Sequence, residues 1–463
     1  SALISKVDLP LQLKDFTGKA HETLCVYSDD PASPRLILLG LGEADKMTHE
    51  SLRRSFGAVT RLTRQKKMKS ISVLLPDIPL FLPKETAFFA AEGLFSANYV
   101  FDALKCDTIK KDPTVLLEHV EWIGSDPGYT EEATKRALII SKGVKLARDL
   151  ANGNADDVTP EYLADVAKHL AAEYPLIETH VHGKKWIEEQ RMGLYLAVSQ
   201  GSIHSPQFIV AKYRGNPTSP DHTVLVGKGV TFDTGGLNLK PVGNIEIQKG
   251  DMSGAAIVFA TLQILAELHL PVNVTAVVPA CENAIGSKAY KPGDVYKSAS
   301  GRTVEINSTD AEGRLTLADA LYYAVHQLRP SRIIDFATLT AAMVIAGGGE
   351  VAGLFSNSDS LARELELSGE KTFERTMRMP LYEEYKDYLK SDVADTKNSA
   401  GREGGAILAA IFLQEFVGHT VPWAHFDIAG VASQKEEKRY SPKMATGFGV
   451  RLMIDYFEKL SSK

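Results

Sequence analysis

From Thr159 to the end of the chain, apolar runs of strand length alternate with helical patterns, and this alternation constrains the fold more than any other feature. Phe208 to Ala211, Thr223 to Val226, Val272 to Val278 and Arg332 to Phe336 read as strands, and Val224 to Val230 as a buried one. Between them run helices. One carries Ala255, Ile257, Val258, Leu262, Leu265 and Leu268 and is stopped by Pro271; another carries Leu315, Leu317, Ala318, Leu321, Tyr322 and Val325. Such a chain builds an α/β domain: a mixed, largely parallel central sheet with helices on both faces. Ala406 to Val417 adds a core helix, and Trp423 to Asp427 a buried strand on which His425 reads as structural.

The 463 residues allow two or three domains, and 44% hydrophobic content supplies ample core. Residues 1–128 mix short apolar runs (Leu36 to Leu39, Ile71 to Leu75) with helical patterns, a small amino-terminal α/β domain. Ser125-Asp126-Pro127-Gly128 is a turn cluster. Residues 129–158 form a linker region, mostly a helix from Thr130 to Leu150 with Thr130 as N-cap, broken at Asn152-Gly153-Asn154. Thr159-Pro160-Glu161 then opens the larger domain, residues 159–463, with proline at the first helical position.

Chemistry concentrates at strand ends. Thr303 to Ile306 is β-prone, and Asp310-Ala311-Glu312-Gly313-Arg314 separates it from a helix. Upstream, Lys228 sits in a strand, Asp233 follows it, Gly235-Gly236 and Lys240 come next, and Asp251 opens a helix. Open α/β sheets build sites outside the carboxyl ends of their strands. Four carboxylates and two lysines there suit two divalent cations sharing a bridging carboxylate. Taken singly, each residue has a plainer role: Asp310 and Glu312 complementing a helix dipole, Asp251 as an N-cap, the lysines as ion-pair partners.

These blocks together resemble the two-metal, hexameric leucine aminopeptidase family. The resemblance rests on STDAEGRL (308–315), VGKGVTFDTGGLNLK (226–240), DMSGAA (251–256), the stretch from Cys281-Glu282-Asn283 to Lys291-Pro292-Gly293-Asp294, and WAHFDIAG (423–430). It runs from residue 140 onward, and the match upstream is poor. It implies that Asp233, Asp310 and Glu312 hold one metal, that Lys228, Asp233, Asp251 and Glu312 hold the other, and that Lys240 and Arg314 are the catalytic pair. It also implies a bicarbonate at Arg314, zinc or manganese as the metal, and a homohexamer acting on short peptides with a free amino terminus. Gly235, Gln248, Thr338 and Leu339 would line the substrate pocket. Such a centre activates a water and polarises the scissile carbonyl, and Lys240 would stabilise the oxyanion. An ammonium has no lone pair, so ligation by Lys228 needs a deprotonated amine.

Two positions depart from the family pattern. Ser308 stands where asparagine is usual, and Gln248 where methionine is common, which predicts a more polar pocket with a buried amide to satisfy. The chain has no H-E-x-x-H, G-x-S-x-G or Walker A motif. Cys25, Cys106 and Cys281 are too dispersed for a disulfide framework and read as free thiols of a reducing, cytoplasmic compartment. Ser1 to Lys6 begin no visible secretory signal, and no apolar run is long enough to span a membrane. The net charge of −6 argues against general nucleic-acid affinity. The cluster Arg61, Arg64, Lys66, Lys67 and Lys69 reads as a solvated helix face, with DNA binding as its alternative. A cysteinyl-glycine dipeptidase is the alternative within the same chemistry.

Overall fold

A computed structural model describes residues 15–27, 35–124 and 126–462. Ser1 to Lys6 and Ser125, read above, lie outside the described residues. The chain forms two compact units, one of Ser1–Lys142 with Glu436–Lys443, the other of Gly143–Lys435 with Met444–Lys463.

In the first unit, β1 (Thr23–Tyr27) and β2 (Arg35–Leu39) form an antiparallel pair, and β3 (Ser70–Leu74) and β4 (His119–Ile123) a parallel one. Helices His49–Gln65 and Pro83–Ala97 pack together. The first starts with a capping box in which Thr48 and Ser51 satisfy each other's backbone N–H. Between the two helices Arg53 is buried on Glu92 and Glu50. The Glu436–Lys443 segment belongs here because Tyr440 Oη donates to Glu50 at 2.9 Å and Glu437 pairs with Arg64 at 3.0 Å. A reading by sequence adjacency placed it with the other domain; its partners lie more than 370 positions upstream.

The unit boundary falls within the helix Pro127–Asn152. This helix begins three residues earlier than expected. Asp126 Oδ1 accepts from Gly128 N, and Thr130, assigned above as N-cap, lies inside with its hydroxyl donating to Asp126 O. The helix Pro160–Glu173 starts as read, with Thr159 Oγ1 accepting from Tyr162 N and proline at the first position.

The second unit is built on β5 (Ile177–His182), β6 (Gln207–Arg214), β7 (Thr223–Gly227), β8 (Gly229–Asp233), β9 (Asn273–Asn283), β12 (Arg332–Ala337), β13 (Ala352–Ser356), β14 (Thr376–Arg378) and β16 (Trp423–Asp427). A small satellite sheet holds β10 (Val295–Lys297), β11 (Thr303–Glu305) and β15 (Thr396–Lys397). The central order is β14-β13-β16-β12-β7-β9-β6-β5, with β8 also on β9. The β14/β13, β16/β12, β12/β7, β7/β9 and β8/β9 pairs are parallel, and β13/β16, β9/β6 and β6/β5 antiparallel. The mixed, largely parallel sheet expected from the sequence is therefore present. Val224 and Val226 point into a core shared with helices Gly193–Ser199, Gly313–Tyr323 and Gly405–Val417. Leu225 points to the other face, where the largely buried, mostly apolar helix Ser253–Glu267 lies along β7 and β12.

The run Val224 to Val230, read as one strand, is two. The ladder breaks at Lys228, where β7 leaves β12 and the chain continues as β8 along β9 alone. The carboxyl ends of β7, β8, β9, β12 and β16 all lie at one edge, and β11 runs into the acidic turn. Among the described residues no helix is long and apolar enough to cross a membrane.

Candidate metal centre

Lys228 occupies the break between β7 and β8. Its N–H donates to Phe336 O and its carbonyl accepts from Ala255 N, so the backbone is fixed on both sides. The side chain is buried, and Nζ lies 2.7 Å from Asp251 and from Glu312 while donating to Thr338 O at 3.0 Å. Asp233 ends β8 and is buried as well. Lys240 Nζ reaches Asp233 at 2.8 Å and also pairs with Asp310. Each lysine thus bridges two carboxylates. The ion-pair reading of the lysines holds in this geometry; the N-cap reading of Asp251 does not. Asp251 precedes the helix Ser253–Glu267, whose N-cap is Met252, and its carboxylate takes Lys228 and the Thr338 hydroxyl instead.

Asp233, Asp310 and Glu312 each offer an oxygen, and these atoms lie within 4.8 Å of one another. Hard oxygen donors at that spacing fit a divalent cation. Asp233 and Glu312 are buried, whereas Asp310 is 39% exposed and opens the centre to solvent. Electrostatics follow from crowding. Burial and the Glu312 charge push Asp233 up to about 7 against the pull of Lys240 and Lys228. Burial also raises Asp251 and Asp310. For Glu312, burial is outweighed by Lys228 and Lys240, and its carboxyl falls below the usual range. Both lysines are buried enough to lose basicity, yet the surrounding carboxylates hold them above the ordinary lysine value.

The acidic turn is pinned at Thr309. Its N–H donates to Asn238 Oδ1, its hydroxyl to Gly235 O, and its carbonyl accepts from Asn283 and Tyr290. Asn283, at the end of β9, also donates to Asp233 Oδ1 at 2.7 Å. Gly235 and Gly236 turn through positive φ (84° and 62°), and a Cβ on Gly235 would stand 2.8 Å from Asp310 Oδ1. Ser308, the departure noted above, accepts Asp310 N on its hydroxyl at 3.2 Å. Arg314 is buried and donates to Asn398 O, and burial lowers it to about 10 despite Glu312 and Asp427.

The expected pocket residues divide. Thr338 touches Asp251, and Gly235 N donates to Asp233. Leu339 N donates to Asp427, which also accepts the Thr340 hydroxyl. Gln248 donates its amide to Asn244 O in an exposed setting, so the buried-amide cost anticipated from sequence does not arise. Asn238, Tyr290, Asn398 and Asp427 were not singled out from sequence. Asn283 and Asp427 sit inside quoted blocks at strand ends, a signal that could have flagged them.

Residues 145–454 match the model of the cytosol aminopeptidase family, catalytic domain, and residues 6–108 that of its N-terminal domain. The chain belongs to the cytosol aminopeptidase family. It is a metal-dependent aminopeptidase, a metallo-exopeptidase of the hydrolase class. The match to the N-terminal model corrects the poor upstream likeness read from sequence. A probable cytosol aminopeptidase of Protochlamydia amoebophila is 49% identical over 96% of this chain and 89% of the relative. One of Chlamydia abortus is 47% identical over 97% and 91%. Among solved structures, the bottromycin maturation enzyme BotP in complex with Mn superposes with TM-score 0.90 at 33% identity, covering 98% of this chain and 97% of that one. A mutant of tomato leucine aminopeptidase gives 0.87 at 34%, covering 97% and 86%.

Proposed function

We propose that the enzyme removes amino-terminal residues from short peptides with two divalent ions held at the carboxyl edge of the central sheet. The observation carrying this reading is the convergence of oxygens from Asp233, Asp310 and Glu312 within 4.8 Å of one another, close enough to share one cation, next to the buried Lys228–Asp251 pair. In this reading Asp233, Asp310 and Glu312 would hold one ion, and Asp233, Asp251, Glu312 and Lys228 the other, with Lys228 giving up its proton because two adjacent dications would override the carboxylates that hold it in the metal-free fold. When bound, such a pair supplies an activated water and a polarised carbonyl. Lys240 keeps its proton under the pull of Asp233, Glu312 and Asp310, and this leaves an ammonium to donate to the developing oxyanion. Arg314 presents a buried guanidinium whose Nε has no hydrogen-bond partner among the described residues, which suits an anion such as bicarbonate. Gly235, Thr338, Leu339 and Gln248 are proposed to line the substrate pocket. Manganese and zinc both suit this donor set, and the manganese complex of BotP favours testing manganese first. We place the enzyme in the cytoplasm as a homohexamer.

The test is hydrolysis of a library of amino-terminal residues on a fluorogenic leaving group, with chelator, then with manganese, zinc or cobalt restored, beside amino-acetylated controls. Cleavage of free-amine substrates that stops with chelator and returns with metal is expected. Chelator-insensitive cleavage, or equal cleavage of acetylated substrates, would refute the reading.

A further inference from the structure

Asn398 lies just past β15 and is fully buried. β15 pairs in parallel with β11, and Asn398 N donates to Glu305 O where that ladder ends. Beyond this point β11 becomes the acidic turn, and the Asn398 side chain takes over from the backbone. Its Oδ1 accepts from Asn307 N at 2.9 Å and Ser308 N at 3.3 Å, and its Nδ2 donates to Ser308 O at 2.7 Å and Ala311 O at 3.4 Å. Its main-chain carbonyl accepts from Arg314 Nη1 at 2.8 Å. One residue therefore grips the backbone on both sides of Asp310 and holds the arginine two residues past Glu312.

We infer that Asn398 is a positioning residue. It sets where Asp310 and Glu312 present their oxygens and couples that placement to Arg314. The inference rests on the two-ion reading above. The physical ground is that an amide satisfying two N–H and two C=O groups of a turn fixes it more tightly than a single cap does. Asp233 and Asp251 stand on β8 and ahead of the helix Ser253–Glu267, and the bonds of Asn398 reach neither. Its loss should therefore fall unequally on the two ions. Groups that orient metal ligands typically change affinity or activity by about 10–100-fold when removed.

The test compares Asn398→Ala and Asn398→Ser with the parent enzyme by calorimetric Mn²⁺ titration, metal analysis and kinetics at saturating metal. The expected result is the ion held by Asp310 about 10–100-fold weaker and the other, which shares only Glu312 with that turn, weakened less, with kcat falling by a similar factor and KM within about threefold. Parent-like affinity for both ions and parent-like kcat, even with a lowered melting temperature, would reduce Asn398 to a structural role and overturn the inference. A parent enzyme that binds no metal would instead overturn the two-ion reading. Should both variants fail to fold, hydrogen exchange on the parent decides. Metal should raise protection of 305–314 and 396–398 together, and protection of the first segment alone refutes the coupling.

Discussion

Gly313 shows how little slack the centre has. A Cβ there would stand 2.6 Å from Lys228 Cε and 2.8 Å from its Nζ. Gly313→Ala should therefore displace Lys228 and lower kcat/KM by about 10–100-fold, because misplacement of about an ångström costs that much. The helix itself gains from alanine, so the melting temperature should hold; a stable variant with parent activity would contradict the packing argument. Lys240→Ala should lose about 10²–10³ in turnover, the cost of one oxyanion donor, while metal analysis still finds both ions. Asp310→Ala or Glu312→Ala should lose metal and activity together. Near-normal turnover in Lys240→Ala would remove it from the oxyanion role. The convergence of Asp233, Asp310 and Glu312 was legible in the sequence because Asp233 follows one strand and Asp310 and Glu312 stand at a strand–helix junction. Asn398 was not, because its meaning lies in pairing with a turn 84–91 positions away.

At the scale of elements, Asp319 illustrates a cap supplied from elsewhere. It sits on the helix Gly313–Tyr323, fully buried, and accepts from Leu194 N and Tyr195 N at the start of the helix Gly193–Ser199 and from Ala299 N. Burial pushes its carboxyl up to about 7 against those three donors. An acid raised in the fold contributes stability that is full below its unfolded pKa, near 4, and is lost as pH rises toward 7. Asp319→Asn should flatten the melting temperature across that window, and thermal scans from pH 4 to pH 7.5 would detect it. An unchanged slope would mean the three N–H groups hold the carboxylate ionised. Strands buried between parallel neighbours were legible as unbroken apolar runs. The edge strand β5, whose Ile177, Thr179 and Val181 alternate with polar residues, carried a strand signal that was overlooked, whereas β13 (with Gly353 and Ser356) was missed because its composition is poor for a strand and tertiary packing selects it. The break at Lys228 was invisible because it reflects a change of neighbour, not of residue type.

At the scale of the whole molecule, the basic cluster of the first unit is already engaged. Arg61 and Arg64 face Glu437, Lys67 pairs with Asp112, Lys69 with Glu118, and Lys66 lies 5.9 Å from the Tyr27 ring centroid. We therefore expect DNA retention to be absent at about 0.15 M salt. A steep salt slope would report several phosphate contacts and revive the alternative. The proposed homohexamer is checked by sedimentation, where a species of six chains is expected. Tyr440→Phe removes a hydroxyl buried on Glu50 and should cost about 1–2 kcal/mol, read as faster tryptic cleavage at Lys438 and Arg439. The Glu436–Lys443 strap bears on modularity. A fragment ending at Lys142 keeps Glu50, Arg61 and Arg64 but forfeits Tyr440 and Glu437. The remaining fragment keeps eight residues whose counterparts have been removed. The amino-terminal unit is therefore not a transferable cassette. Any recombination that replaces it must replace this distant octapeptide as well, so the two stretches are inherited as one.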